Sequence, residues 1–310
     1  MRRRLVLGAV LALGVLSMAA RAAQLAPVKP SAAAIDVEKL AGNLFVLRAP
    51  GSGGATAVFV MGNGVMLVDT KVSGWGPSML ETIKTLTDKP VTTIVNTHTH
   101  FDHVNGNPEY PGTVEIVTHA NTKTYMEQWN PVYGINVGDN PSPFKASGGR
   151  GLPTRTFTDR LTLGGGAESV DLYYYGRAHT GGDTYVVFRN ARVLHAGDTF
   201  PNKNAPIMDR NNGGSGVAYA DTLAKAAATP NVDRVITGHS TTVSVAELKE
   251  YSDFIREWVA YVQAGKKAGR TVDEVVSAWK IPDRFKGYTP VQPGMGNWRP
   301  NAQVIWDETQ

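Results

Sequence analysis

The sequence predicts an α/β fold of two packed β-sheets with helices on the outside, and three observations predict it. Strand-like runs recur through both halves of the chain. Segments of helical periodicity bracket each half, and no linker or fixed-period repeat divides them. At 42% hydrophobic and 19% charged residues, the composition is that of a globular chain and excludes a disordered one.

The N-terminus reads as an address. Arg2, Arg3 and Arg4 precede an apolar run from Leu5 to Ala20, and Ala20 and Ala22 flank Arg21. These are the charged, apolar and small-residue parts of a secretory leader over residues 1–22, which predicts cleavage after Ala22 and export, in a bacterium to the periplasm. The run is short for a membrane span of roughly 20 residues. The chain carries 31 basic and 27 acidic residues. Without the four leader arginines it holds 27 of each, so the basic footprint needed for nucleic acid is missing, and no membrane partner is expected after cleavage. There is no cysteine, hence no disulfide and no thiol nucleophile, and any metal site must use His, Asp and Glu.

Residues 23–41 are expected to form an N-terminal arm, Pro/Ala-rich over Gln24–Ile35, ahead of one domain from 42 to 310. Strands are predicted at Asn43–Arg48, Ala55–Met61 and Val65–Thr70, the last pair joined by the turn Gly62-Asn63-Gly64. Gly76-Pro77 opens a helix, and the β-branched run inside Val91–Thr97 is the next strand. Strand Val114–Val117 and helix Asn121–Gln128 precede an irregular stretch, 129–154, with nine Gly or Pro in 26 residues. The second half predicts strands at Thr156–Leu163, Ser169–Tyr175, Thr184–Phe188 and Arg192–His195, then helix Val217–Ala228 and strand Arg234–Thr237. Two capping boxes, Ser244-x-x-Glu247 and Thr271-x-x-Glu274, start the closing helices, with a helical extension from about 266 to 310.

Chemistry concentrates where the strand Val91–Thr97 runs into His98-Thr99-His100-Phe101-Asp102-His103. Residues two apart in extended chain project to one side, so His98 and His100 can grip one metal. Asp102 and His103, where the chain turns, can reach a second. Downstream, His179, Asp198 and His239 each follow a predicted strand beside small or polar residues. Imidazole and carboxylate suit zinc, and iron or manganese as well.

On these residues the chain resembles the metallo-β-lactamase superfamily, from about Gly42 to His239 and on through the closing helices. The resemblance implies an αββα four-layer sandwich with metals at one edge. It implies a first metal on His98, His100 and His179, and a second on Asp102, His103 and His239, with Asp198 bridging. Asp69 matches an early Asp that supports the site from behind. Members that are dedicated antibiotic hydrolases with a cysteine ligand carry Cys where Asp198 stands, so this chain is outside those subclasses. An Asp there is the pattern of the wider hydrolases: lactonases, glyoxalase II-like thioesterases and phosphodiesterases.

The resulting expectation is a dinuclear zinc hydrolase that opens a cyclic amide or ester with metal-activated hydroxide, Asp102 orienting the nucleophile. A glyoxalase II-like thioesterase or other ester hydrolase is the alternative, and a non-catalytic periplasmic metal-binding accessory protein is the third reading. The partner is a small-molecule carbonyl substrate. His119 and His195 read as packed structural histidines. Trp129, Tyr133 and Phe144 either clasp an apolar substrate or anchor their own loop. Lys203, Asn211 and Asn212 either bind a substrate carboxylate or carbonyl, or lie on a solvated loop.

Overall fold

The computed structural model describes residues 29–136, 138–289, 291–292 and 295–310; the expected leader lies outside them. Among the described residues, one sheet holds β1 (Asp36–Ala41), β2 (Leu44–Arg48), β3 (Thr56–Met61), β4 (Gly64–Val68), β5 (Val91–Val95), β6 (Glu115–His119) and β7 (Arg155–Phe157), hydrogen-bonded in that order. The pairs from β1 to β4 are antiparallel and those from β4 to β7 parallel. The second sheet contains β8 (Arg160–Leu163), β9 (Val170–Tyr173), β10 (Tyr185–Phe188), β11 (Val193–His195), β12 (Arg234–Ile236) and β13 (Val243–Ser244), adjacent in chain order. Only its β11–β12 pair is parallel.

Alternation along the strands separates three apolar layers. In β3 and β4, Ala57, Phe59, Met66 and Val68 face the second sheet and meet Leu172, Val186, Phe188 and Ile236. Phe59 and Phe188 lie 5.2 Å apart between centroids. The intervening Val58, Val65 and Leu67 face outward, onto Trp75, Met79 and Ile83 at and within α1 (Gly76–Leu86). Val187, Leu194 and Val235 on the far face of the second sheet are covered by α5 (Gly216–Ala227) and α6 (Val245–Lys267) through Tyr219, Leu223, Tyr251 and Trp258. The layers therefore run helix, sheet, sheet, helix, as predicted. Both capping boxes form, at Ser244 for α6 and at Thr271 for α7 (Val272–Ala278). No helix among the described residues is long and apolar enough to cross a membrane.

Three expectations need correction. The arm does not extend to residue 41: Asp36–Ala41 is β1, whose backbone is satisfied by pairing with β2. The single strand expected over Thr156–Leu163 is two, in different sheets. Its corner is fixed at Thr158, whose carbonyl accepts from His119 Nε2 (2.8 Å), and at Asp159, whose carbonyl accepts from Tyr174 N (2.9 Å). The closing helices number three among the described residues, because α8 (Trp298–Glu308) buries Trp298, Ala302, Val304 and Ile305 against the layer of α5 and α6.

Candidate metal centre

The fold delivers the candidate ligands to one edge. β4, β5 and β6 run parallel, as do β9, β11 and β12, so their C-terminal ends lie together. His98 and His100 follow β5, while Asp102 and His103 sit in the short helix α2 (Phe101–Val104). His179 follows β9, Asp198 follows β11 and His239 follows β12.

There the seven residues form two groups. His98, His100, His179 and Asp198 bring one ligand atom each within 4.8 Å of one another, and so do Asp102, His103 and His239. Asp198 stands between them. Its Oδ1 is 3.1 Å from His103 Nε2, and its Oδ2 is 3.0 Å from His239 Nε2 and 4.0 Å from His179 Nε2.

Four of the histidines are held from behind by one ring nitrogen, leaving the other for the site. Asp69, at φ +65°, accepts from Thr97 N (2.8 Å), from Thr97 Oγ1 (2.7 Å) and from His103 Nδ1 (2.7 Å). Since the Thr97 hydroxyl gives its hydrogen to Asp69, it accepts from His98 Nδ1 (2.9 Å), which leaves His98 Nε2 unprotonated. His179 Nδ1 donates to Ile207 O (2.8 Å), and His100 Nε2 donates to Asp209 Oδ2 (2.9 Å). Outer partners of this kind fix the tautomer and ring orientation of metal-binding histidines. Close backbone approach completes the cradle. A Cβ at Gly54 would lie 2.2 Å from His103 Cε1, and one at Gly238 would lie 1.9 Å from Asp198 Oδ1.

The donor set fits a metal ion. His98 Nε2 is buried with no hydrogen-bond partner, a state that ordinarily costs about 1–3 kcal/mol. His179 Nε2 faces His100 Nδ1 at 3.0 Å, and His103 Nε2 faces His239 Nε2 at 3.4 Å. Nitrogens aimed at one another in this way need a cation or a proton between them.

The electrostatics divide along the same line. Burial, then neighbouring imidazoles, hold His98 well below the usual histidine range and bring His179 down to about 4, so both are neutral donors. In the other group burial opposes charge on the imidazoles, but Asp198 and Asp102 outweigh it. His103 is held well above its ordinary value, and His239 is pushed up to about 10. The carboxylates respond in kind despite their burial. His103 and His239 bring Asp102 down to about 2, and His239 and His103 hold Asp198 well below the carboxylate range. A metal entering this group would compete with protons for the same ligand atoms.

The remaining expected residues are placed as follows. His119 caps α3 (Ala120–Gln128) by accepting from Asn121 N (3.2 Å), and His195 is buried against Ala55 O (3.2 Å) and Gly197 N (3.1 Å). Trp129 and Phe144, the latter in the short helix α4 (Pro143–Ala146), turn inward and pack with Val104 and Met126, which makes them anchors for their loop beside α2. Lys203 is turned toward Lys286 O (3.0 Å) and the Tyr288 ring. Tyr133, Asn211 and Asn212 meet the site through Asp209, whose buried carboxylate accepts from Tyr133 N (2.9 Å), Asn211 N (3.1 Å) and Asn212 Nδ2 (2.5 Å).

Asp209 itself escaped sequence reasoning, as did Lys71. That lysine is fully buried, and its Nζ donates to Leu47 O (3.1 Å) and Gly54 O (2.8 Å), pinning the Gly-rich loop that touches Asp102 and His103. Burial, with Arg48 nearby, lowers its pKa to about 7. The one available signal was the phrase Asp69-Thr70-Lys71 itself, a charged residue inside an apolar stretch.

A search of curated protein sequences finds no match. Solved structures do match. A metallo-beta-lactamase from Pontibacter korlensis superposes with a TM-score of 0.56 at 18% identity, covering 72% of this chain and 99% of that one. The DIM-1 metallo-beta-lactamase gives 0.57 at 16% identity, covering 72% and 97%. A double mutant of the sec-alkyl sulfatase PisA1 gives 0.67 at 14% identity, covering 88% of this chain and 50% of that one, so the chain spans half of the sulfatase's length. At such identities the likeness is one of fold. The sequence profile of the Metallo-beta-lactamase superfamily matches residues 50–239, from the Gly-rich loop to the last of the candidate ligands. The chain belongs to the metallo-beta-lactamase superfamily.

Proposed function

We propose that the protein is a metal-dependent hydrolase that opens a cyclic amide or ester. His98, His100 and His179 would hold one metal, Asp102, His103 and His239 a second, with Asp198 shared between them. The observation that carries this reading is the convergence of four backed imidazoles whose other nitrogens point into one buried site. Zinc, the metal such donors favour, supplies when bound a water acidic enough to ionise near neutral pH and an electrophile for a carbonyl oxygen.

The chain's own residues do the positioning. Asp69 and Asp209 hold His103 and His100 at fixed angles, so little reorganisation is left for the reaction itself. Asp102, whose side chain is 12% exposed and ionised, is the carboxylate nearest solvent and accepts the hydrogen bond of a nucleophilic water there. His98 and His179, neutral and enclosed, keep solvent from the inner wall.

An acyclic ester or thioester is the second reading, favoured by Asp198 in place of a sulfur ligand. Export with cleavage after Ala22 belongs to the proposal and is tested by N-terminal sequencing of the secreted protein. The functional test compares metal-stripped with zinc-reconstituted protein on nitrocefin, a homoserine lactone and a glutathione thioester. Turnover that requires zinc and is lost in His100→Ala and Asp102→Ala is expected. Stoichiometric zinc with no turnover would favour an accessory protein, and undiminished turnover in either variant would refute the ligand assignment.

A further inference from the structure

The candidate centre is exposed unevenly. His98, His100 and His179 are at most 4% exposed, whereas the side chain of His239 is 20% exposed. Solvent therefore reaches the ligands from the side of Asp102 and His239. On that side lies a cleft of about 260 Å³ with His239 in its wall. Pro50, Gly53 and Ala55 supply an apolar lining, and β1 and β2 supply Asp36 and Arg48. Its volume sits just below the roughly 300–1,000 Å³ that encloses a drug-sized ligand, so it suits a small substituent.

Asp36 and Arg48 stand opposite one another in the β1–β2 register, but their charges do not cancel. The Arg48 guanidinium is taken: Nη1 lies 2.6 Å from Glu38 Oε2, Nε donates to Ser240 O (2.8 Å) and Nη2 to Thr242 Oγ1 (3.1 Å). The Asp36 side chain has no hydrogen-bond or ion-pair partner among the described residues. Asp36 is thus the carboxylate of the lining that is left without a partner. The cation that seemed available for a substrate carboxylate, Lys203, is turned to Lys286 O.

We infer that this cleft receives the non-reacting part of the substrate, and that Asp36 makes it selective for a group that is neutral or cationic over one that carries a carboxylate. The inference rests on the hydrolase reading for the reacting end only. A surface charge of this kind is screened by salt, so the preference belongs to binding and shrinks as ionic strength rises.

The test uses the zinc-loaded protein and p-nitrophenyl esters whose acyl chains end in a methyl, a trimethylammonium or a carboxylate group. The matching acyclic amides are titrated calorimetrically alongside, with mass spectrometry checking that they stay intact. The cationic compound should exceed the anionic one by about threefold to fivefold in kcat/KM, the scale of one exposed ion pair, with the difference in KM. Asp36→Asn should abolish that ratio and Asp36→Lys should invert it, with zinc content unchanged in both. If the esters turn over with equal KM values that neither variant shifts, the cleft assignment is overturned while the hydrolase reading stands. If the amides bind in the predicted order while neither these esters nor nitrocefin nor a homoserine lactone is hydrolysed, the cleft stands and the hydrolase reading falls. Absence of both binding and turnover overturns the cleft assignment.

Discussion

Asp209→Asn separates what holds the first ligand group from what holds the surrounding loop. The wild-type carboxylate accepts four hydrogen bonds, from His100 Nε2, Tyr133 N, Asn211 N and Asn212 Nδ2. His100 in turn contributes to keeping the carboxylate ionised against its burial. The amide preserves shape and one acceptor oxygen, but it removes the charge and can set an N–H donor against the donor on His100. Loss of an outer partner of this kind weakens metal affinity by about 10–100-fold, or roughly 1.4–2.8 kcal/mol. The loss should fall on the group containing His100 and spare the one containing His103, which leans on Asp69 instead. Asp209→Ala is the control for folding. It strips three other donors of their acceptor at about 1 kcal/mol each, so it should lower thermal stability by about 3 kcal/mol as well. A chelator competition titration resolves the two sites. Wild-type affinity at both sites in Asp209→Asn would refute the reasoning, because His100 would then need no fixed outer partner.

Gly54→Ala should cut zinc stoichiometry from two to one by mass spectrometry, since the new methyl must displace the His103 ring, whose Cε1 would lie 2.2 Å away. Lys71→Met keeps the length of the buried side chain but leaves Leu47 O and Gly54 O without their donor, and a loss of about 1–3 kcal/mol in denaturant unfolding is expected. For acid stability, burial works against the Asp171 charge, but bonds from Arg189, Thr162 and Arg160 prevail and bring its pKa down to about 2 from 3.8. A depressed carboxylate stabilises the fold above its unfolded value and loses that contribution as pH falls through the folded one. The gap in unfolding free energy between wild type and Asp171→Asn should therefore be full above pH 3.8 and close toward about pH 2. A gap independent of pH would contradict that.

The layers were legible because strand alternation and helical periodicity are local. The strand Ala55–Met61 can be read from the sequence as an apolar run, and the capping boxes at Ser244 and Thr271 from their spacing. The ligand motif was legible for a different reason: six consecutive residues carry four donors, and strand ends supply the other three. The corner at Thr158 and Asp159 was not. What breaks that strand is His119 and Tyr174 taking its carbonyls, and both lie far away in sequence. Asp209 was hidden likewise, since only the fold brings it to His100 across 109 positions. β1 was lost in a Pro/Ala-rich neighbourhood. The aromatic residues of 129–154 posed a choice that composition cannot settle. Packing decided it for Trp129 and Phe144, because Val104 and Met126 offered an apolar face to turn toward.

Metal content decides the account most directly. Native mass spectrometry of the zinc-loaded protein should show two ions per chain in the wild type. It should show one in His103→Ala, whose loss opens a single group, and weakened retention of both in Asp198→Asn, whose carboxylate lies between the groups. Two ions retained in full by both variants, or no zinc in the wild type, would contradict it.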